Sequence, residues 1–588
     1  MSRTKSIFAV LLLAAIAFIV PQAQAVVTVQ VTIAGSSAMW QTMALGAFSL
    51  AGAGAGHWTS ASNAVNLTDT RVTPNNVDAG TIWIVWNASA TKVWSFLKVD
   101  SVVGDRCYFA QPQCTVSATA ANLSGSGAGQ ISTVLWGADS ALPATVVSVF
   151  TAGTPSTVAA TDIRPEDGAF AACRVNSSLG AGIGGSSSDG LDGLGYNPNN
   201  NSGVCPAAGL GQANYVGSAI KSGYPGSTSA ANVLAFNITG TDPVTGKTIP
   251  AFSVIEVGAA PIVFVDARSN HLVGLTNATD VQLQAAFSGA NCDASALGLA
   301  AGGIGVYLRE PLSGTMNTTE ATVFRKPTVY PGSIIGASQE ANVGANNPLA
   351  GQAGTCLAGA GARYRGIGTG EVVKHVLNSN KNFGMDGIAY TFFSYGNVGS
   401  IANNPAYGYI TLNGVDPIFA SYTGGDPGEP GNGTLPAAAN LPSSCNNAFP
   451  CPENKIWAGG LSFPNVRSGK YGAWSTLRLV STKGSKALTA ANALVAKSQG
   501  FVVTSVPDYI PFKKTVAGGI TDPGLLYLRS HYQQYDGAGT FLGAAPVNKG
   551  TAEAGGDMGG CILKNTLKTT QSVNADFGNP CANRPTNP

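Results

Sequence analysis

The stretch of sequence that predicts most about the fold reads Arg309-Glu310-Pro311-Leu312-Ser313-Gly314-Thr315. The apolar run Ile304–Leu308 before it is typical of a buried strand, and the residues after it favour a helix through Val323. A helix that begins at Ser, Gly and Thr presents unpaired N–H groups beside two hydroxyls. Because Arg309 adds a planar, bidentate cation, this junction is a candidate oxyanion site. The alternative is an ordinary helix cap next to an arginine that pairs with a surface carboxylate.

Two junctions upstream have related chemistry. The turn Gly35-Ser36-Ser37 follows the alternating run Val26–Ile33 and precedes the helix-like segment Met39–Leu50. Such a turn directs backbone N–H groups and hydroxyls at whatever lies above it, although an N-cap is an equally good interpretation. Asp162 follows a second apolar run, where its carboxylate can accept a hydrogen bond from a ligand hydroxyl. A turn-forming aspartate is the commoner role of such a residue.

The rest of the chain predicts a mixed α/β fold, because short apolar runs alternate with turns rich in Gly, Ser and Asn. Trp83, Trp86 and Trp94 fall in strand patterns, where packing in a sheet is favoured over stacking on a ligand. We expect further strands at Ile82–Trp86, Val93–Val103 with Arg106–Phe109 after it, Ile262–Val265, Gly387–Phe393, Tyr407–Leu412 and Trp474–Val480. We expect further helices at Val281–Phe287, Gly370–Leu377 and Lys486–Gln499.

Composition excludes several classes of protein. The chain has 588 residues, of which 44% are apolar, only 11% are charged and 75 are glycine. These values exclude a disordered polyelectrolyte and a coiled coil, and favour a folded, turn-rich protein with more than one lobe. If Arg3 and Lys5 leave with a cleaved leader, positive and negative residues balance at 30 each. No bulk electrostatic attraction to nucleic acid or to a membrane follows.

The N-terminus resembles a secretory signal peptide. Arg3 and Lys5 precede the apolar run Ile7–Val20, and small residues at Ala23 and Ala25 suit cleavage after Ala25. The run is short for a membrane span, so we expect an exported protein in the periplasm or medium that does not cross the membrane.

Ten cysteines agree with export, because an even count in an exported chain favours disulfides. No CxxC pair occurs and the four histidines are scattered, so we expect neither a metal site nor a cofactor. We predict five local bridges that join sequence neighbours, although the sequence leaves the connectivity open: Cys107 with Cys114, Cys173 with Cys205, Cys292 with Cys356, Cys445 with Cys451 and Cys561 with Cys581.

The order of these motifs resembles the periplasmic phosphate-binding protein of the ABC-type phosphate importer, a member of the type II periplasmic binding protein superfamily. The resemblance rests on Gly35–Ser37, Thr161-Asp162, Arg309 with the Ser313–Thr315 turn, and Gly387–Tyr390. It covers about half of the chain. Thr161-Asp162 lies much farther from Ser37 than is usual in that family, so the intervening region is identified as an insertion that contains the Cys107/Cys114 pair.

The resemblance implies an α/β, two-lobed type II periplasmic binding protein-like fold, with mixed sheets flanked by helices and with disulfide-bonded insertions. The implied first lobe comprises 26–266 and 397–543, the second lobe 267–396, and an irregular tail 544–588 follows. The implied ligand residues are Ser37, Ala38, Asp162, Arg309, Ser313, Gly314 and Thr315. The family has one further ligand serine, from a turn between the first two motifs, and the sequence does not single out its counterpart among candidates such as Ser60 and Ser124.

The function that the resemblance implies is capture of a small oxyanion, above all phosphate, by a monomeric binding protein that delivers it to an ABC permease without catalysis. An ionised Asp162 would accept a hydrogen bond from hydrogen phosphate and repel sulfate. The alternative is a secreted or surface scaffold that keeps the fold without transport, since the chain is much larger than two lobes require. A phosphatase is disfavoured, because neither a metal cluster nor an activated nucleophile is evident.

Overall fold

The computed structural model describes residues 26–163 except 72–75 and 132, 236–324 except 239 and 311, 356–394 except 367, 406–419 and 471–502. It also describes shorter pieces, of which 326–327, 334–335, 464–467, 510–511, 534–535 and 541–543 have regular secondary structure. The predicted leader, the tail 544–588 and the cysteine pairs 173/205, 445/451 and 561/581 lie outside the described residues.

Short strands alternate with helices along the described residues. The strands are β1 (Thr28–Ser36), β2 (Gly56–Thr59), β3 (Val65–Thr68), β4 (Asn76–Trp86), β5 (Lys92–Val99), β6 (Thr115–Ser117), β7 (Thr154–Pro155), β8 (Val158–Thr161), β9 (Phe252–Ala267), β10 (Asn277–Ala278), β11 (Ile304–Arg309), β12 (Lys326–Pro327), β13 (Ile334–Ile335), β14 (Ala362–Gly366), β15 (Asp386–Phe392), β16 (Tyr407–Leu412), β17 (Trp474–Thr482), β18 (Ile510–Pro511), β19 (Gln534–Tyr535) and β20 (Phe541–Gly543). The helices are α1 (Trp40–Ala51), α2 (Ser101–Phe109), α3 (Thr133–Trp136), α4 (Ala144–Ala152), α5 (Asp280–Phe287), α6 (Gly314–Thr319), α7 (Thr369–Phe383), α8 (Pro464–Arg467) and α9 (Lys486–Val502).

Most of the described strands form one mixed sheet, in the order β14-β11-β15-β9-β17-β8-β1-β5-β4-β3-β6-β7, with β2, β10, β16 and β18 paired at its sides. Strands β8, β1 and β5 run parallel, and so do β14, β11 and β15. Helices flank the sheet; Gly46 of α1, for example, packs closely against Ser498 of α9. The predicted mixed α/β architecture is therefore confirmed.

Strand β9 joins the two parallel groups. Its residues 252–261 pair with β17, whereas its residues 262–267 pair with β15 and β16. We call β17, β8, β1, β5 and β4 with 252–261 the first sheet half, and β14, β11, β15 and β16 with 262–267 the second sheet half. Strand β16 lies in the range expected for the return to the first lobe, yet it pairs in the second sheet half. The lobe boundaries stay a prediction.

The segment after β5 differs from the sequence prediction. The predicted strand Val93–Val103 is right as far as Val99, where β5 ends, and wrong beyond it, because the helix α2 begins at Ser101 and includes Arg106–Phe109. Every residue of α2 is buried. A helix buried on all sides shows no amphipathic period, so its apolar run is indistinguishable from that of a strand.

The predicted core and disulfides agree with the structure where it describes them. Trp83, Trp86 and Trp94 are at most 7% exposed, as expected for packing in the sheet. The bridges Cys107–Cys114 and Cys292–Cys356 are formed, and no described cysteine is free. No helix among the described residues is both long enough and apolar enough to span a bilayer.

Candidate functional site

The carboxyl ends of the parallel strands bring the candidate residues together. In the first sheet half, Ser36 of β1 is in register with Val99 of β5, and Gly35 is in register with Ala160 of β8. The residues that follow these strands, which include Ser37, Asp100 and Asp162, therefore lie at one edge. This edge is where open α/β sheets bind ligands. Gly35 permits the close approach of the strands, because it has a φ of 139° and a Cβ there would overlap the Ala160 carbonyl.

The second sheet half presents its own carboxyl edge to the first. Arg309 ends β11 in register with Gly366 of β14. The chain then enters α6 after Arg309 and α7 after Gly366. One direct contact between the two edges is the hydrogen bond that the Val102 N–H donates to the Leu312 carbonyl, at 3.3 Å.

Asp162 lies between the first turns of α2 and α6. The Ser101 hydroxyl donates to Asp162 Oδ1, and the Thr315 hydroxyl lies 3.5 Å from Oδ2. A Cβ at Gly314 would overlap the Asp162 carboxylate, so only glycine fits against it. Asp162 is 1% exposed. A buried carboxylate thus occupies the position where two helix N-termini meet, which is where an anion is stabilised.

The first turn of α6 keeps hydrogen-bonding capacity for an anion. Ser313 is the N-cap, and its hydroxyl oxygen accepts from the Met316 N–H at 3.3 Å. The hydroxyl proton of Ser313 is not consumed by that bond. The backbone N–H groups of Gly314 and Thr315 have no acceptor within the helix, as is general for the first turn of a helix. These donors lie in the same turn as the Thr315 hydroxyl, which contacts Asp162.

Arg309 pairs with its own neighbour in sequence. Its Nε and Nη2 donate to the two carboxylate oxygens of Glu310 at 2.8 and 2.7 Å, and its Nη1 donates to the Thr369 hydroxyl at 2.9 Å. Both Arg309 and Glu310 are buried. Burial alone would raise the pKa of Glu310, but the charge and hydrogen bond of Arg309 outweigh it and lower the pKa well below the usual range. The pair is therefore ionised.

Asp100 is the second carboxyl beside Arg309. Its Oδ1 lies 3.8 Å from Arg309 Nη2, and its buried Oδ2 has no hydrogen-bond partner. Burial, followed by the negative charge of Glu310, raises the pKa of Asp100 well above its usual range. Arg309 offsets only one of the two negative charges, so the pKa shift favours the neutral form of Asp100 over that of an isolated aspartate.

A cleft of about 800 Å³ opens beside these residues. Both sheet halves line it: Ser37, Ala38 and Asp100 lie on one wall, and Gly368 and Thr369 lie on the other. Thr369 contacts Arg309 directly, so the cleft reaches the buried pair. No group of three or more His, Cys, Asp or Glu side chains in the described part of the chain could hold a metal ion.

The structure brings Asp162, Gly314 and Thr315 into contact and places Ser313 and Arg309 in the same junction. Ser37 and Ala38 line the neighbouring cleft instead, and the Ala38 N–H already donates to the Ser36 hydroxyl at 3.2 Å. The ligand roles of all these residues stay predictions.

Ser101 is a site residue that the sequence analysis missed, because its segment was interpreted as a strand. It lies between Ser37 and Asp162 in the sequence, at the start of α2. Its position immediately after the alternating run of β5 is the signal that could have found it, since a serine there is typical of a helix start.

No protein-family model matches the chain, and no curated protein matches it. Among solved structures, the chain is similar to a high-affinity periplasmic phosphate-binding protein, PfluDING, solved with bound phosphate. The identity is 11% and the TM-score 0.32, over 82% of this chain and 90% of that chain. A human phosphate-binding apolipoprotein is similar at 13% identity and a TM-score of 0.29, over 81% of this chain and 87% of that chain. An ABC-type phosphate transport receptor from Vibrio cholerae is similar at 11% identity and a TM-score of 0.25, over 43% of this chain and 72% of that chain. Because these similarities are weak, the function is inferred from the chain's own residues.

Proposed function

We propose that this chain is an exported solute-binding protein that captures a small oxyanion, above all phosphate, between its two sheet halves and delivers it to an ABC importer. The observation that carries the proposal is the burial of the Asp162 carboxylate against Ser101, Gly314 and Thr315. The Ser101 and Thr315 hydroxyls contact this negative group where two helix N-termini meet, and Gly314 leaves room for it. An oxyanion would use the same donors when the two halves separate.

The hinge for that separation is β9. Asp162 and Ser101 follow strands of the first sheet half, whereas Arg309 and Thr315 follow a strand of the second. Rotation about the point where β9 changes partners, between Pro261 and Ile262, would move Asp162 away from Thr315. The space between them then accepts a ligand, and closure buries it.

Asp162 supplies the proposed selectivity. An ionised carboxylate can accept but cannot donate a hydrogen bond, so it favours an oxyanion that still carries a proton. Hydrogen phosphate has that proton at neutral pH and sulfate does not. Binding of sulfate would therefore leave two negative groups in contact without compensation.

Calorimetry of residues 26–588 against phosphate and sulfate tests the proposal. We expect binding of phosphate and much weaker binding of sulfate. In Asp162→Asn the difference between the two anions should shrink by about ten-fold or more, because an amide donates to sulfate where the carboxylate repels it.

Asp69→Asn is the matched control, because Asp69 is also fully buried but lies in a separate ion-pair cluster. It should leave the preference for phosphate unchanged in the folded protein. Equal binding of both anions by the unaltered chain, or no binding of either, would contradict the proposal.

One observation favours the scaffold alternative. Glu310 already satisfies two donors of the Arg309 guanidinium, and Asp162 already fills the space between the helix N-termini. A protein that keeps the fold without transport would gain stability from such internal pairs. Absence of phosphate binding in the calorimetry is the outcome that supports this alternative.

A further inference from the structure

The cleft beside the candidate anion site is far larger than a tetrahedral oxyanion. Its volume is about 800 Å³. Cavities of about 300–1,000 Å³ are the size that encloses organic ligands. A water molecule takes about 30 Å³ of liquid volume, so an anion of five heavy atoms would fill only a small part of this space.

Polar groups suited to hydroxyls line much of the cleft, beside charged side chains such as Lys98 and Glu371 and the ring of Trp40. The walls carry amide side chains at Gln41, Asn63 and Gln130, and hydroxyls at Ser62 and Thr81. Amides and hydroxyls both donate and accept hydrogen bonds, which is the combination that a polyhydroxylated molecule requires.

Asp100 connects this polar cleft to the candidate anion site. It precedes Ser101, lies 3.8 Å from the Arg309 guanidinium and lines the cleft. The side chain is 10% exposed, and its buried Oδ2 has no hydrogen-bond partner. Because a buried polar atom without a partner is costly, it indicates a place where a ligand hydroxyl would complete the hydrogen bonding.

We propose that the ligand is a phosphate monoester of a hydroxylated alcohol, of which a sugar phosphate is the representative, bound as the monoanion whose remaining phosphoryl proton is donated to Asp162. This inference rests on the proposed function. The phosphoryl group takes the donors of Ser101, Gly314 and Thr315, and the hydroxylated part extends past Asp100 into the cleft. Binding involves no covalent step.

Calorimetry at pH 6, where about half of a phosphate monoester still carries a proton, tests the ligand class with three probes: inorganic phosphate, glucose 6-phosphate and glucose. The expected result is that glucose 6-phosphate binds about ten-fold or more tightly than phosphate, while glucose alone binds weakly, because the two parts of the ester act together. Phosphate binding that equals or exceeds ester binding would overturn this inference and leave the proposed function intact. Binding of none of the probes would overturn both.

A paired substitution tests the placement of the sugar. Gly370 lies in the first turn of α7, lines the cleft and has no atom within 4 Å of an added Cβ. Gly370→Phe should therefore fill the cleft and weaken glucose 6-phosphate binding by about ten-fold or more, with little effect on inorganic phosphate. Gly500→Phe is the control, because Gly500 is helical in α9, equally open around its Cβ and does not line the cleft. Equal effects of the two substitutions on the ester would overturn the placement.

Discussion

Two buried arginine clusters in this molecule differ in how completely their charges are compensated. In the first, which we call the Arg71 cluster, two cations meet two carboxylates: Arg71 pairs with Asp69 and Asp242, and Arg106 also pairs with Asp69. In the second, which we call the Arg309 cluster, one cation meets two carboxyls, Glu310 and Asp100. All the ion-paired side chains of the first are at most 2% exposed, whereas Asp100 of the second lines the cleft.

The comparison separates a structural role from a functional one. The Asp69 carboxylate accepts from the backbone N–H, Nε and Nη2 of Arg71 and from Nη2 of Arg106, at 2.6 to 3.0 Å. This compensation lowers the pKa of Asp69, although burial alone would raise it. In the Arg309 cluster the pKa of Asp100 is raised instead, by burial and by Glu310, and one oxygen of Asp100 has no hydrogen-bond partner. A cluster whose charges are fully compensated has no free hydrogen-bonding group for a ligand. A cluster whose charges are incompletely compensated can still bind one.

The largest effect should come from Arg309→Ala. Removing this cation leaves Glu310 buried without its partner, which typically costs about 3–5 kcal/mol of stability. Arg309 is also one of the predicted anion ligands, although Glu310 and Thr369 now occupy its donors, so phosphate binding should weaken by about ten-fold or more. Calorimetry and urea unfolding measure the two effects. Arg309→Lys keeps the charge but not the planar fork, so it should fold and still bind phosphate more weakly than the unaltered protein. Full binding by Arg309→Lys would contradict the proposed role.

A similar loss of stability without loss of binding is expected for Arg71→Ala. The substitution leaves Asp69 and Asp242 buried with too little positive charge, so the free energy of unfolding should fall by about 3–5 kcal/mol. The dissociation constant for phosphate, measured well below the melting temperature, should stay the same. If phosphate binding fell as much as in Arg309→Ala, the distinction between the two clusters would be wrong.

The sequence predicted those elements whose signal is local. The strand Tyr407–Leu412 has the predicted bounds, and β11 differs from its prediction only by including Arg309. Only the part of β9 at Ile262–Val265 was expected, and the strand extends from Phe252 to Ala267. Residues 252–261 are strand because β17 pairs with them, and pairing between distant segments is not encoded in a local pattern.

The candidate site was predicted only in part for the same reason. The Arg309 motif was evident because its residues are contiguous, and its alternative, an arginine paired with a carboxylate, is also realised through Glu310. That Ser101 contacts Asp162 depends on where α2 packs relative to β8, which no periodicity reveals. The unpartnered oxygen of Asp100 likewise follows from the packing around it rather than from its sequence neighbours.

The smallest expected effect is on the pH dependence of stability, and it should have opposite signs in the two clusters. The pKa of Asp100 is raised above 3.8 by burial and by Glu310, so the folded state holds a proton that the unfolded chain loses. The free energy of unfolding should therefore fall as the pH rises from 3.8 through the folded pKa, by at most about 1.4 kcal/mol per pH unit for one proton. Asp100→Asn should abolish this dependence, because an amide does not titrate in this pH range.

Asp69→Asn should act in the opposite direction. The folded pKa of Asp69 is lowered below 3.8, so its contribution to stability is present above that pH and is lost as the pH falls through the folded value. Compared with the unaltered protein, Asp69→Asn should lose stability at pH 7, whereas Asp100→Asn should keep or gain it. Urea unfolding of the three proteins between pH 3 and pH 8 measures both slopes. The reference for the unfolded chain is the pKa of about 3.9 that aspartate has in peptides. Slopes of the same sign would mean that Asp100 is ionised and paired like Asp69, and the Arg309 cluster would then have no capacity left for a ligand.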